Sequence, residues 1–247
     1  MSPPSISRPG FALGAITLAA LAVACADTAV APVADPTVVA GEAENVYVVA
    51  EDDIILNGRL FGREHETLVV LTHMRPADQR AWFDFAQELA DSGFAALTFD
   101  FRGFGESDGG EDFDTLDDDL RAVLTYLRGR GWTDVFLVGA SMGGTAALVV
   151  AAEDDVLGVV SVSAPEEFEA QNALQAVSGI SAPKLFIAAE DDTAAVLSLD
   201  ELLAAAGPAT DSHVYPGNDH GTNLLLGESA GDFRALVLNF LREHRPN

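Results

Sequence analysis

Ser141 lies in the sequence GASMG at residues 139–143, which fits the pattern Gly-x-Ser-x-Gly. An apolar run precedes this motif and an alanine-rich helical pattern follows it. Glycines permit a sharp turn between a strand and a helix, because they remove side chains where the two backbones approach each other. The free N–H groups at the start of that helix would stabilise a negative charge that develops beside the serine oxygen. The pattern therefore predicts that Ser141 is a nucleophile.

A phosphate-binding loop is the alternative interpretation of a glycine-rich turn between a strand and a helix. The dinucleotide pattern G-x-G-x-x-G needs glycine where Ser141 stands, and the P-loop needs lysine where Gly144 stands. Neither pattern is present at this turn, so the sequence favours catalysis by Ser141.

A nucleophilic serine needs a histidine as its base and an acid that orients this histidine. Of the five histidines, His220 lies in a glycine-rich loop directly after the last predicted strand. Asp191 and Asp192 both follow the apolar run LFIAA and lie between Ser141 and His220 in the chain. The order Ser, Asp, His matches the order required by a parallel sheet with this serine turn. The residues predict a triad, and they leave the acid open between Asp191 and Asp192.

Apolar runs alternate with helical patterns along most of the chain. A hairpin is predicted over residues 46–61, and six further pairs of strand and helix follow, including a helical stretch over 167–177. This alternation predicts an α/β fold, with a mostly parallel sheet flanked by helices on both faces. In such sheets, active sites lie outside the carboxyl ends of the strands. Only about 20 residues separate the strand ending VSVS from the strand KLFIAA, so we expect no large cap domain.

Four segments resemble the α/β-hydrolase superfamily, and the resemblance extends over residues 46–245. The segments are GASMGG at 139–144, FDFRGFGESDGG at 99–110, LTHMR at 71–75 and PGNDHG at 216–221. The resemblance implies an α/β-hydrolase fold with Ser141 as nucleophile and His220 as base. It also implies that His73, Asp100 and Arg102 brace loops.

The resemblance extends to the remaining site residues. It implies that the backbone N–H of Met142 is one oxyanion donor and that the N–H of Arg75 is the second. Met74 stands where the family usually has glycine, so the sequence departs from the pattern beside Arg75. Members of the family commonly end the strand before the acid with Gly-x-x-Asp. Alignment of Ala189 with that glycine implies that Asp192 is the acid.

The function implied by this resemblance is hydrolysis of a carboxylic ester through an acyl-enzyme, without a cofactor and with a small-molecule acyl substrate. We expect an open site shaped by side chains near Trp82, Phe104, Met142 and residues 166–177. Cleavage of a thioester, an amide or a C–C bond by the same residues is an alternative. A non-catalytic, surface-tethered binding protein on a hydrolase scaffold is an alternative from a different class.

The charge balance of the chain excludes several classes of partner. The chain has 13 Lys and Arg residues and 39 Asp and Glu residues, which gives a net charge of −26. Nucleic acids and anionic lipid surfaces need clustered cations, so neither is expected to bind. The acidic run at residues 111–119 lacks the ligand spacing of a calcium loop. We therefore expect a solvated face there and no metal site.

The N-terminal residues have the pattern of an export signal. Residues 11–24 are uncharged and apolar, which is too short for a membrane span and typical of a signal peptide. The sequence LAVAC resembles a lipobox, which predicts a signal peptide over residues 1–25 and lipidation of Cys25. The alternative is cleavage after ACA at residues 24–26, which would release a secreted soluble protein. We expect a flexible tether over residues 26–45, a catalytic domain over 46–247, and an exported cell-envelope lipoprotein that touches the membrane only through its lipid.

Overall fold

The computed structural model describes residues 43–51 and 53–246, so the predicted signal peptide, Cys25 and most of the predicted tether lie outside the described residues. Within them, eight strands form one sheet in the order β1-β2-β4-β3-β5-β6-β9-β10. Strand β2 is antiparallel to its neighbours β1 and β4, and the remaining pairs are parallel. The predicted α/β fold with a mostly parallel sheet is confirmed. The strands are β1 Glu44–Val49, β2 Ile55–Phe61, β3 Leu68–Thr72, β4 Ala95–Phe99, β5 Val135–Ala140, β6 Gly158–Val162, β7 Glu167–Phe168, β8 Gln171–Asn172, β9 Lys184–Ala189 and β10 Thr210–Tyr215.

The helices cover both faces of the sheet. Helices α1 and α6 contribute Phe85 and Phe233 to the apolar core on one face, and helices α2 to α5 contribute residues such as Leu120 and Leu199 to the other. Strands β3 to β6 and β9 are buried along their whole length, as near-continuous apolar strands between two helical layers must be. The helices are α1 Phe83–Asp91, α2 Leu116–Gly129, α3 Met142–Ala151, α4 Ala173–Ala176, α5 Thr193–Ala205 and α6 Ala230–His244, with 3-10 helices at Gln79–Trp82, Phe113–Thr115, Val177–Gly179 and Gly221–Leu225.

The predicted helical stretch over residues 167–177 is wrong in its first half. Strands β7 and β8 form a short hairpin there, and only α4 is helical. The ring of Phe168 packs on Phe113, with 5.4 Å between their centroids. The side chain of Gln171 donates hydrogen bonds to the Asp114 carbonyl and to Asp117, at 3.1 and 2.9 Å. These long-range contacts outweigh the local helical pattern.

The segment between β6 and β9 stays small. In the described chain it contains the β7–β8 hairpin, α4 and one 3-10 turn, and no cap domain is evident. Within residues 43–51 and 53–246, no separate domain therefore covers the carboxyl ends of the parallel strands. Among residues 43–51 and 53–246, no helix combines the length and the apolar character that a membrane crossing requires.

Candidate active site

Ser141 occupies a strained turn between β5 and α3. Its backbone has φ 50° and ψ −122°, a left-handed conformation that is costly for a residue with a side chain. A Cβ atom at Gly139 would lie 2.3 Å from the Gly143 carbonyl oxygen, so glycine is required at that position. The Thr72 hydroxyl donates a 2.9 Å hydrogen bond to the same carbonyl and ties the end of β3 to the turn. The structure thus holds Ser141 in a conformation that an ordinary loop would not retain.

His220 and Asp192 form a hydrogen-bonded pair at the carboxyl edge of the sheet. His220 Nδ1 lies 2.6 Å from Asp192 Oδ2, and because a carboxylate only accepts, Nδ1 carries the proton. The side chains of His220 and Asp192 are 39% and 14% exposed. Asp191, the other candidate acid, is exposed, and its backbone N–H donates to the Gly217 carbonyl. The structure therefore brings Asp192, and not Asp191, against the histidine.

The loop that carries His220 packs on the turn that carries Ser141. Gly221 follows the histidine with φ 56°, and a Cβ atom there would lie 3.4 Å from the Ala140 Cβ and 2.7 Å from the Met74 sulfur. The Gly221 N–H donates a 3.1 Å hydrogen bond to the hydroxyl of Ser163, at the end of β6. These contacts place the histidine loop between the nucleophile turn and the loop after β3.

The loop at residues 73–75 lies against the first turn of α3. A Cβ atom at Gly143 would be 2.6 Å from the His73 carbonyl oxygen. Met142 begins α3, so its N–H is one of the N-terminal groups that have no partner within the helix. Met142 is fully buried. The residues predicted to supply both oxyanion donors therefore lie in adjoining segments.

His73 braces this loop from the interior. Its Nε2 accepts a 3.0 Å hydrogen bond from the Phe101 N–H, so Nδ1 carries the proton and donates to the Met74 carbonyl at 3.0 Å. Burial lowers the pKa of the His73 imidazole below 6.5, although the bond to Met74 and the charges of Asp100 and Asp78 act in the opposite direction. His73 is therefore a neutral brace and is buried away from solvent.

Asp100 and Arg102 brace the loop that follows β4. The Asp100 carboxylate accepts hydrogen bonds from the Gln79 N–H, the Gln79 side chain and the Glu106 N–H at 2.8, 2.9 and 3.0 Å. Arg102 donates from Nε and Nη2 to Asp119 at 2.9 and 2.6 Å. Asp119 is fully buried, so the predicted solvated face at 111–119 is wrong for this residue. The acidic run predicts exposure to solvent, whereas helix α2 turns the Asp119 carboxylate toward Arg102.

Trp82 and Phe104, near which we expect the site, have different surroundings in the structure. Trp82 itself is fully buried, and its indole N–H donates to the Thr72 carbonyl at 3.1 Å. The 3-10 turn that contains it directs the ring into the core. Phe104 packs edge-on against His73 with centroids 5.0 Å apart. The guanidinium of Arg75 lies 5.1 Å from the ring centroid of Phe113, and its Nη2 is 3.4 Å from Glu111.

Ser163 is the residue at this edge that sequence reasoning missed. It is buried, has φ 51°, and its hydroxyl contacts the residue next to His220. The available signal was its position, because it directly follows a buried strand at the carboxyl edge. In the part of the chain that the structure describes, no three His, Cys, Asp or Glu side chains cluster in a way that could hold a metal ion.

The sequence matches the family model described as the alpha/beta hydrolase fold over residues 67–182. A non-heme chloroperoxidase, CPO-A1 of Kitasatospora aureofaciens, is 43% identical over 79 residues, which are 31% of this chain and 28% of that protein. The AB hydrolase superfamily protein YisY of Bacillus subtilis is 31% identical over 127 residues, 48% of this chain and 46% of that protein. The chain thus matches less than half of the length of each of these relatives.

Solved structures with the same fold cover most of the chain. The esterase Pf2001 of Pyrococcus furiosus has a TM-score of 0.74 at 20% identity, over 83% of this chain and 92% of that one. A dienelactone hydrolase of Anabaena variabilis has a TM-score of 0.72 at 20% identity, over 84% of this chain and 100% of that one. These likenesses show the α/β-hydrolase fold.

Proposed function

We propose that this chain, which has the α/β-hydrolase fold, is a serine hydrolase that cleaves carboxylic esters through an acyl-enzyme. The observation that carries the proposal is the 2.6 Å contact between His220 Nδ1 and Asp192 Oδ2, in a loop that packs on the strained turn of Ser141. A histidine oriented in this way has its Nε2 free to act as a base.

In the proposed reaction, Ser141 Oγ attacks the ester carbonyl carbon while His220 Nε2 takes the hydroxyl proton. Asp192 stabilises the imidazolium that results and does not itself take the proton. The carbonyl oxygen becomes an oxyanion, which the N–H of Met142 and, as second donor, the N–H of Arg75 stabilise. Collapse of this intermediate expels the alcohol, which receives the proton from His220. A water molecule then repeats the sequence on the acyl-enzyme and releases the acid.

The small segment between β6 and β9 supports an ester as the substrate class. An uncapped site suits an accessible acyl group better than a reaction that must be sealed from water, as some C–C bond cleavages must be. Esterase and dienelactone hydrolase structures share the fold, which is consistent with this choice without deciding the bond.

Two measurements test the function. A panel of p-nitrophenyl esters of increasing acyl length should show turnover with a length optimum, and a fluorophosphonate probe should label one serine. Peptide mapping should place the label on Ser141. A protein that binds the probe nowhere and turns over no ester would instead be the non-catalytic binding protein considered above.

We further propose that the protein is exported and lipidated at Cys25, because the lipobox-like LAVAC precedes a segment rich in small residues and proline. Mass spectrometry of the mature N-terminus should find a lipid-modified Cys25. A mature chain that begins at Asp27 without lipid would mean cleavage after ACA and a secreted soluble protein.

A further inference from the structure

Ser163 directly follows β6, and Ser141 directly follows the neighbouring strand β5. Ala140 at the end of β5 pairs with Val162 at the end of β6, and the Ser141 N–H donates to the Val162 carbonyl at 2.8 Å. Each serine is the next residue after its strand, and both have left-handed backbones, with φ 50° and 51°. The sheet therefore presents two strained serines side by side at its carboxyl edge.

The backbone of Ser163 is anchored in the sheet. Its N–H donates a 2.7 Å hydrogen bond to the Ile187 carbonyl in β9. The residue is 2% exposed, and its hydroxyl oxygen accepts the hydrogen bond from the Gly221 N–H. The residue adjacent to His220 is thus tied to a fixed point one strand away from the nucleophile turn.

A serine at this position is conformationally costly. A left-handed φ is easily adopted by glycine and disfavoured for residues with a Cβ atom. Glycine would remove that cost and would also remove the hydroxyl that accepts from Gly221. The backbone conformation alone would favour glycine at this position. The hydrogen bond that the hydroxyl accepts from Gly221 is therefore what explains the presence of serine.

We propose that Ser163 is a positioning residue that sets the distance between His220 and Ser141 through its hydrogen bond to the Gly221 N–H. The inference rests on the proposed function, because it concerns the proton transfer from Ser141 to His220. Asp192 holds the rotation and tautomer of the imidazole, whereas Ser163 and the packing of Met74 on Gly221 hold the loop itself. Proton transfer requires hydrogen-bond distance, and a displacement of about 1 Å lowers a rate by about 100-fold.

The test compares Ser163→Ala and Ser163→Gly with Ser161→Ala as the matched control. Ser161 is a buried serine two residues earlier in β6, so its variant removes a hydroxyl from the same strand away from the Gly221 contact. Both Ser163 variants should lower kcat by about 10-fold to 100-fold and leave KM within about twofold. The rate of Ser141 labelling by a fluorophosphonate should fall by a similar factor, and the Gly221 amide should exchange faster with solvent. Ser161→Ala should change kcat by less than about twofold.

The Ser163→Gly variant distinguishes the effect of losing the hydroxyl from the effect of backbone strain. It relieves the left-handed strain, so it should fold at least as well as the alanine variant, and it carries the test if the alanine variant does not fold. Wild-type kcat in Ser163→Gly would overturn the proposal, as would equal losses in Ser163→Ala and Ser161→Ala. If Ser141→Ala abolishes activity while the Ser163 variants keep it, only this inference fails. If Ser141→Ala remains active, the proposed function fails instead.

Discussion

The two ends of the central sheet bury polar groups for different purposes. At the amino ends of β9 and β10, Lys184 is fully buried, and its ammonium donates to the carbonyls of Ile180, Ala182 and Pro208 at 2.9, 3.1 and 3.3 Å. Burial lowers the pKa of this ammonium. At the carboxyl ends, the buried groups of His73 and Ser163 bind the loops around Ser141 and His220. The first arrangement closes the fold, and the second holds the loops of the proposed active site.

Strained residues at the two ends show the same difference. Ala209, just before β10 at the amino end, has φ 59° and carries a methyl group, whereas Ser141 and Ser163 at the carboxyl end carry hydroxyls in a similar conformation. A left-handed backbone alone therefore does not identify a functional residue in this fold. We expect substitutions at the amino end to change stability, and substitutions at the carboxyl end to change the rate of the reaction.

The largest effect is expected for Ser141→Ala. Without the nucleophile the covalent route is lost, and kcat should fall by a factor on the order of 10⁶, as for the loss of a triad serine elsewhere. The melting temperature should not fall, because alanine keeps the backbone and the serine hydroxyl has no structural role in the proposal. Initial rates with a p-nitrophenyl ester and a thermal melt check this. More than about a tenth of wild-type kcat would remove Ser141 from the mechanism.

The second-largest effect is expected for substitution of the acid Asp192, and substitution of its neighbour Asp191 is the control. Asp192→Asn keeps the shape of the side chain but loses the charge that stabilises the imidazolium, so kcat should fall by about 10⁴-fold. Asp191→Asn alters an exposed charge and should change kcat by less than about tenfold. Steady-state kinetics of both variants decide between them. The reverse ranking would mean that the contact between His220 and Asp192 does not serve catalysis.

At the amino end, Lys184→Met should act on stability alone. The substitution leaves three carbonyls without their charged donor, and we expect the free energy of unfolding to fall by about 2 kcal/mol. The kcat of the folded enzyme should stay within about twofold. Arg128→Met is the control, because Arg128 forms an exposed ion pair with Asp154 and should cost less than about 1 kcal/mol. A Lys184 variant with normal stability and a lowered kcat would contradict the division between the two ends.

The smallest effect concerns the pH dependence of His73. In the folded protein its pKa lies below 6.5, so below this pH the unfolded chain takes up a proton that the folded protein does not. The stabilisation by neutral His73 is present above pH 6.5 and is lost as the pH falls, by at most about 1.4 kcal/mol per pH unit. The difference in unfolding free energy between wild type and His73→Asn should therefore shrink from pH 7.5 to pH 5. A constant difference in urea titrations at these pH values would show that His73 does not have the lowered pKa.

The sequence by itself determined the architecture and the edge of the sheet at which the candidate residues lie. Alternating apolar runs and helical patterns require a parallel sheet covered on both faces, and the carboxyl ends of parallel strands share one edge. Ser141 and His220 could be assigned to that edge because each follows a strand that is visible in the local pattern. Both assignments follow from the local periodicity of apolar residues and from the glycine-rich turns that follow the strands.

Only the tertiary structure decided the contacts between segments that are distant in the chain. The residues left Asp191 and Asp192 open, and the resemblance favoured Asp192. The direction of the turn after β9 places Asp192 against a histidine 28 residues away. Asp119 is buried because Arg102 from another loop meets it, and Trp82 is buried because its 3-10 turn directs it into the core. Ser163 lies beside Ser141 because of the register of β5 and β6. Pairings of this kind depend on how the strands and loops pack, which no local pattern of residues specifies.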